Sequence, residues 1–238
     1  MALGSQPRWT VRTADAQVGI DVGLREYMLR IYNYMASGLA LTGIVAYVAA
    51  SSGFYASIAR TPVMWLVILA PLGLVMWLSY GIQRMQASTA QALFWVYSGM
   101  MGLSLGVVFL AFTGTSVARV FFITAGTFAA MSLYGYTTQR DLSGFGSFLF
   151  MGLIGIIIAG LVNLFIHSSA LQFAISVIGV VVFTGLTAWD TQQIKEMYYE
   201  ADGAEIASKK AVMGALRLYL DFINLFMMLL QLMGTRRD

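Results

Sequence analysis

Seven runs of predominantly apolar residues, each of roughly twenty residues and so long enough to cross a bilayer core as a helix, dominate the chain. They span approximately Ile31–Ser52, Pro62–Tyr80, Thr89–Phe112, Ser116–Tyr136, Phe145–His167, Leu171–Trp189 and Ala211–Met233. The links Gly53–Thr61, Gly81–Ser88, Thr113–Thr115, Thr137–Gly144 and Ser168–Ala170 are too short to hold a soluble domain. Only the link from Asp190 to Lys210 is longer, and it carries much of the remaining charge. The pattern predicts an all-α membrane protein. A single bundle of seven transmembrane helices is expected over residues 31–233, after a polar cytoplasmic tail of residues 1–30 and before a short tail of residues 234–238. Many Gly and Ala residues within the runs let helix backbones approach closely. No internal repeat is visible, which gives an inverted-repeat transporter no support.

Composition strengthens the membrane reading. Hydrophobic residues make up 59% of the chain and charged residues 11%, and the mean hydropathy is +0.76. No cysteine is present, which excludes a disulfide, a thiolate metal site and a cysteine nucleophile. The net charge of +3 is too small and too scattered for nucleic-acid binding. In a membrane protein such charges report orientation instead. The amino-terminal segment holds Arg8, Arg12, Asp15, Asp21, Arg25, Glu26 and Arg30 with no apolar core, so no signal peptide is expected and the first transmembrane helix is retained. Arg8, Arg12, Arg25, Arg30, Arg84, Arg140, Lys195, Lys209 and Lys210 fall on the side shared by the amino terminus and alternate links; Arg60, Arg119, Arg236 and Arg237 fall on the other. This imbalance predicts a cytoplasmic amino terminus and an external carboxyl terminus.

Two acidic residues interrupt this apolar pattern: Asp190 closes the sixth run and Asp221 sits inside the seventh. A carboxylate at the centre of a transmembrane helix costs about 2.5–3.5 kcal/mol on insertion scales, and such groups face the bundle interior or a water-filled cavity. Gly214, Arg217, Asp221, Asn224 and Met228 recur at three or four residues and share one face of the last helix. The other side is expected to present Leu220, Ile223, Met227 and Leu230. A helix with such a polar stripe is expected inside the bundle. Thr184, Thr187 and Thr191 lie near the face of Asp190 and are candidates to give hydroxyls to a carboxylate pair. The competing reading is a local ion pair from Arg217 to Asp221, four residues apart. Depth is the difficulty, because Asp221 lies roughly 15 Å into its helix at 1.5 Å per residue. The two aspartates come level only if the sixth helix continues through Thr191–Met197, which contains no Gly or Pro.

If the two carboxylates meet in a poorly solvated site they cannot both ionise cheaply, so an apparent pKa lifted towards neutrality and a shared proton are expected. Loss of that proton would leave a hard anionic oxygen site suited to weak, transient Ca²⁺ binding.

Three runs carry a resemblance: MSLYGYTTQRDLSGFGSFLFMGLIGI (Met131–Ile156), FTGLTAWDTQQIK (Phe183–Lys195) and GALRLYLDFINLFMMLL (Gly214–Leu230). Together they resemble the bacterial branch of the Bax inhibitor family, the transmembrane Bax inhibitor motif proteins, and the likeness extends over nearly the whole chain. It implies a seven-helix bundle in which the last helix is central and surrounded by the other six. It also implies a pH-sensitive calcium leak channel of the bacterial inner membrane, with protons, calcium and the lipid bilayer as partners and calcium as transported ion rather than cofactor. The family's paired aspartates match Asp190 and Asp221. The chain departs from some bacterial members, which carry a Glu and an Arg on the second helix, since Pro62–Tyr80 contains no charged residue. Arg217 and Arg140 are the candidates to replace that latch. An alternative implied role is a non-transporting regulator of a membrane-bound ATP-dependent quality-control protease, acting through the amino-terminal tail. Enzymatic readings fare worse. An intramembrane aspartyl protease would carry a glycine motif where Leu218, Tyr219 and Leu220 stand, a retinal protein needs a lysine in the last helix, and a hydrolase would want more than the single His167.

Overall fold

Each apolar run is a helix in the computed structural model, which describes the backbone of residues 9–237 and the side chains of residues 22–237. The elements are α1 (Trp9–Ser51), α2 (Phe54–Ile58), α3 (Val63–Gly81), α4 (Ala87–Leu105), α5 (Val107–Ala111), α6 (Gly114–Thr137), α7 (Ser143–Ile166), α8 (Ser169–Glu196) and α9 (Ala204–Met233). Seven stretches are long and apolar enough to cross a membrane, with α4 and α5 counting as one. Helical backbone already runs through the described residues 9–30, inside the segment expected as tail. Residues 1–8, and the side chains of Arg12, Asp15 and Asp21, lie outside the described set. The helix ahead of Ile31 has a local cause. Tyr27, Met28 and Ile31 are buried on one face while Arg25, Glu26 and Arg30 point outwards, an amphipathic turn that reads as polar by composition.

The last helix is the centre of the bundle. Of its apolar window 67% is buried, against 44% for α8 and 11% for α7. In lipid an apolar flank need not be buried, so the helix with polar groups in its face is drawn inwards and the uniformly apolar ones can stay outside. Four helices form the wall around α9: α1, α4, α6 and α8. The remaining two occupy an outer position, α3 against α4 and α7 against α8, so a ring of six is replaced by a ring of four with two outriders.

Small residues set the closest approaches. A Cβ at Gly135 of α6 would lie 2.1 Å from the carbonyl oxygen of Ala188 on α8, and one at Gly146 of α7 would lie 2.3 Å from the Trp189 ring. Only glycine leaves room for the backbone of Ala188 at the first and for the indole ring at the second. The polar links then tie the ends. Glu205 of α9 accepts a hydrogen bond from the Ala87 amide at the start of α4 (2.7 Å), a donor that the helix itself leaves free. Asp141 accepts from the Ser143 amide at 2.8 Å, and hydrogen bonds from Ser143 hold its carboxyl below the ordinary aspartate value. The segment after α9 returns to the α5–α6 link, with Thr113 N–H donating to Thr235 O and Arg237 N–H to Ala111 O, both at 3.0 Å. His167 ends α7 in the left-handed region (φ 54°), exposed at a helix terminus.

Candidate functional site: a carboxylate pair in a lateral cleft

The sixth transmembrane helix does run on. α8 continues unbroken past Asp190 to Glu196, because Thr191, Gln192 and Lys195 find partners within the bundle. Thr191 donates to Thr187 O (2.7 Å) and its hydroxyl lies 2.9 Å from that of Ser132 on α6. Gln192 accepts from the Leu142 amide (2.8 Å) and donates to Arg140 O (2.9 Å), pinning the α6–α7 link. Lys195 donates to Tyr136 O at 2.9 Å, closing the carboxyl end of α6. Ile194 is fully buried between them. That extension brings the two aspartates level.

Asp190 and Asp221 lie side by side, their carboxylates within hydrogen-bonding range of one another. Asp221 is buried, with 5% of its surface exposed, and the Asp190 side chain is 14% exposed. Two ionised carboxylates can only accept. Unless a proton lies between them, Asp221 Oδ2 is a buried oxygen with no donor. A proton on either residue turns the contact into an O–H···O bond and removes that penalty.

The competing reading, a local ion pair from Arg217 to Asp221, is not what forms. Arg217 Nη1 sits 3.8 Å from Asp190 Oδ1, across to α8, and no ion pair joins it to Asp221 among the described residues. At that separation, on a guanidinium 45% exposed, the pair contributes little. Arg140 is not part of the site: its carbonyl serves Gln192, and its side chain pairs with neither aspartate. The threonines also depart from expectation. Thr187 donates to Phe183 O (2.8 Å), Thr191 to Thr187 O, and Thr184 Oγ1 is buried without a partner, so none gives its hydroxyl to a carboxylate. β-Branched hydroxyls in a helix readily bond to the carbonyl four residues back, and here that option wins.

Around the pair opens a cleft of about 780 Å³ between α7, α8 and α9. Arg217, Asp221, Asn224 and Met228 line it, as the stripe on α9 required. Leu220 lines it as well, so that residue belongs to the polar face and not to the opposite one. Asn224 lines the cleft and donates to Leu220 O (2.8 Å). At the far end stand Gln172 of α8 and Gln231 of α9. Sequence reasoning passed over both glutamines, and Gln192, although an uncharged amide inside an apolar run is itself a signal for a buried polar contact. A second groove of about 680 Å³ lies between α1 and α6; it is almost wholly apolar and contains neither aspartate.

As an ion site the arrangement is sparse. Two carboxylates and one amide oxygen are hard oxygen donors of the kind Ca²⁺ takes, but far fewer than the six to eight of a tight site. Among the described residues no three acidic, histidine or cysteine groups gather around a common point.

The chain matches the family model described as inhibitor of apoptosis-promoting Bax1 over residues 24–238. It is 53% identical to an uncharacterised protein of Rickettsia prowazekii, over 96% of this chain and 98% of that one. The inner membrane protein YbhL of Escherichia coli K12 is 48% identical, over 94% of this chain and 97% of YbhL. An uncharacterised protein of Caulobacter vibrioides is 44% identical, with 94% of each chain covered.

Proposed function

The chain belongs to the Bax inhibitor family, and on that premise we propose that it is a pH-sensitive calcium leak channel of the inner membrane, gated by Asp190 and Asp221. The observation that carries the reading is the buried carboxylate pair, which lacks any donor for Asp221 Oδ2 unless the two residues share a proton. The shared proton bonds α8 to α9 and keeps the cleft closed. At higher pH it leaves, and two like charges in a poorly solvated site repel. The helices separate at that level, and the freed oxygens, with that of Asn224, give a divalent cation a transient foothold between the two faces of the membrane. Arg217 acts as the movable counter-charge: it is half in water, close to Asp190, and supplies on α9 what the uncharged α3 lacks. The name of the Escherichia coli relative, inner membrane protein YbhL, supports the location.

The test is Ca²⁺ efflux from liposomes holding the purified protein. Flux should rise between about pH 6 and pH 8, the direction in which a shared carboxylate proton is lost. Equal flux at both ends of that range, or none at either, would remove the gate. Orientation is open to a separate check. The lysine and arginine imbalance predicts a cytoplasmic amino terminus, so with seven spans a reporter joined after Asp238 should read as external. A cytoplasmic reading would mean that the charge argument points the wrong way.

A further inference from the structure

At the far end of the cleft runs a hydrogen-bonded chain of amides that the leak reading does not use. Gln231 Oε1 accepts from both Gln172 Nε2 (2.5 Å) and Ser176 Oγ (2.9 Å), joining α9 to α8. Asn163 of α7 donates to Gln172 Oε1 at 3.2 Å, and its own oxygen accepts from the Ser168 amide at 2.9 Å. Three helices are therefore stapled at one level by side chains alone. Elsewhere along the cleft α7 and α9 face each other across open space lined by Ile156, Ile157 and Gly160.

That level is opposite the aspartates. Gln231 follows Asp221 by ten residues on α9 and Gln172 precedes Asp190 by eighteen on α8; side-chain reach takes up the offset, and the two bonded pairs lie roughly 20 Å apart along the helix pair. The cleft thus covers much of an approximately 30 Å hydrocarbon core, with carboxylates near one mouth and amides at the other. Polar amides in lipid are costly unless they pair or line a water-filled space. Here they pair, with Gln231 exposed at the end of the cleft and Ser176 buried behind it.

We propose that Gln231, Gln172 and Ser176 form a second gate, an amide seal that closes the mouth of the cleft opposite the aspartate pair. A hydrated cation leaving the carboxylates must part the Gln172–Gln231 bond, and the amide oxygens freed by that opening replace some of its water. The seal needs no proton, so it sets how large the flux is, while the aspartates set its pH dependence. This physiological meaning rests on the leak reading; the closure itself does not.

Thiol labelling separates the two. The chain has no cysteine, so Asn224→Cys, about 10 Å inside the mouth and lining the cleft, is a single clean probe. A cysteine appended after Asp238 identifies the membrane face on which the Gln231 end lies, and a membrane-impermeant maleimide is applied from that face. With Gln231 intact the probe at 224 should label slowly; with Gln231→Ala it should label at least tenfold faster. Gln172→Ala should do the same and serves if the first variant fails to fold. In liposomes, Gln231→Ala should raise Ca²⁺ flux several-fold at both pH values and leave the shape of the pH profile intact. Unchanged labelling in both variants overturns the seal whatever the flux does. Faster labelling without flux in any variant would establish the seal and sink the leak reading instead.

Discussion

In reconstituted vesicles, Asp190→Asn and Asp221→Asn should each abolish the rise of Ca²⁺ flux with pH, leaving it at the low-pH level throughout. Asparagine donates from its own amide, so it keeps a hydrogen bond to the remaining carboxylate without borrowing a proton. The bond joining α8 to α9 then survives at any pH, the repulsion that opens the pair is gone, and one anionic ligand is lost. Because the carboxylates act as a unit, the double variant should add little to either single change. A purely structural account makes a different forecast. The arginine pairs with Asp190, not Asp221, at 3.8 Å and half in water, so losing that pair alone would cost at most about 1 kcal/mol and leave the pH profile unaltered. A folded Asp190→Asn protein with the wild-type profile would end the shared-proton gate.

Gly135→Val should be the most destructive of the packing changes. The site for its Cβ is 2.1 Å from the carbonyl oxygen of Ala188, and the neighbouring atoms are backbone, which cannot swing aside. Overpacking of this kind costs about 1–3 kcal/mol and sometimes more. Since Ala188 is two residues from Asp190, any relief by sliding α8 also moves the carboxylate away from Asp221. The expected result is a marked drop in thermal stability in detergent, and for the milder Gly135→Ala a smaller drop accompanied by a distorted pH profile. Gly155→Ala is the control: nothing lies within 4 Å of that Cβ, and alanine is the better helix former by about 0.5–1 kcal/mol, so stability should hold or rise. Equal stability of Gly135→Ala and Gly155→Ala would show that α6 and α8 do not touch as described.

The seven helices, their order and the central position of the last were legible in the chain because lipid enforces a simple rule. A span must be long and apolar, and one that carries Arg, Asp and Asn on a single face must turn that face towards protein. The same rule singled out Asp190 and Asp221. Their pairing hung on one local question, whether α8 would pass Asp190, and the absence of Gly and Pro through Met197 answered it correctly.

What the tertiary structure alone decided is the set of partners. Arg217 crosses to Asp190 rather than turning back on Asp221, the threonine hydroxyls bond to their own helix, and Arg140 serves through its carbonyl. Gln172, Gln192 and Gln231 become the polar joints of the bundle. Periodicity along one helix says which residues share a face. It cannot say which face of another helix lies opposite, because rotation and depth between helices are set by close contacts such as Gly135 on Ala188, and those form only once the whole bundle is assembled.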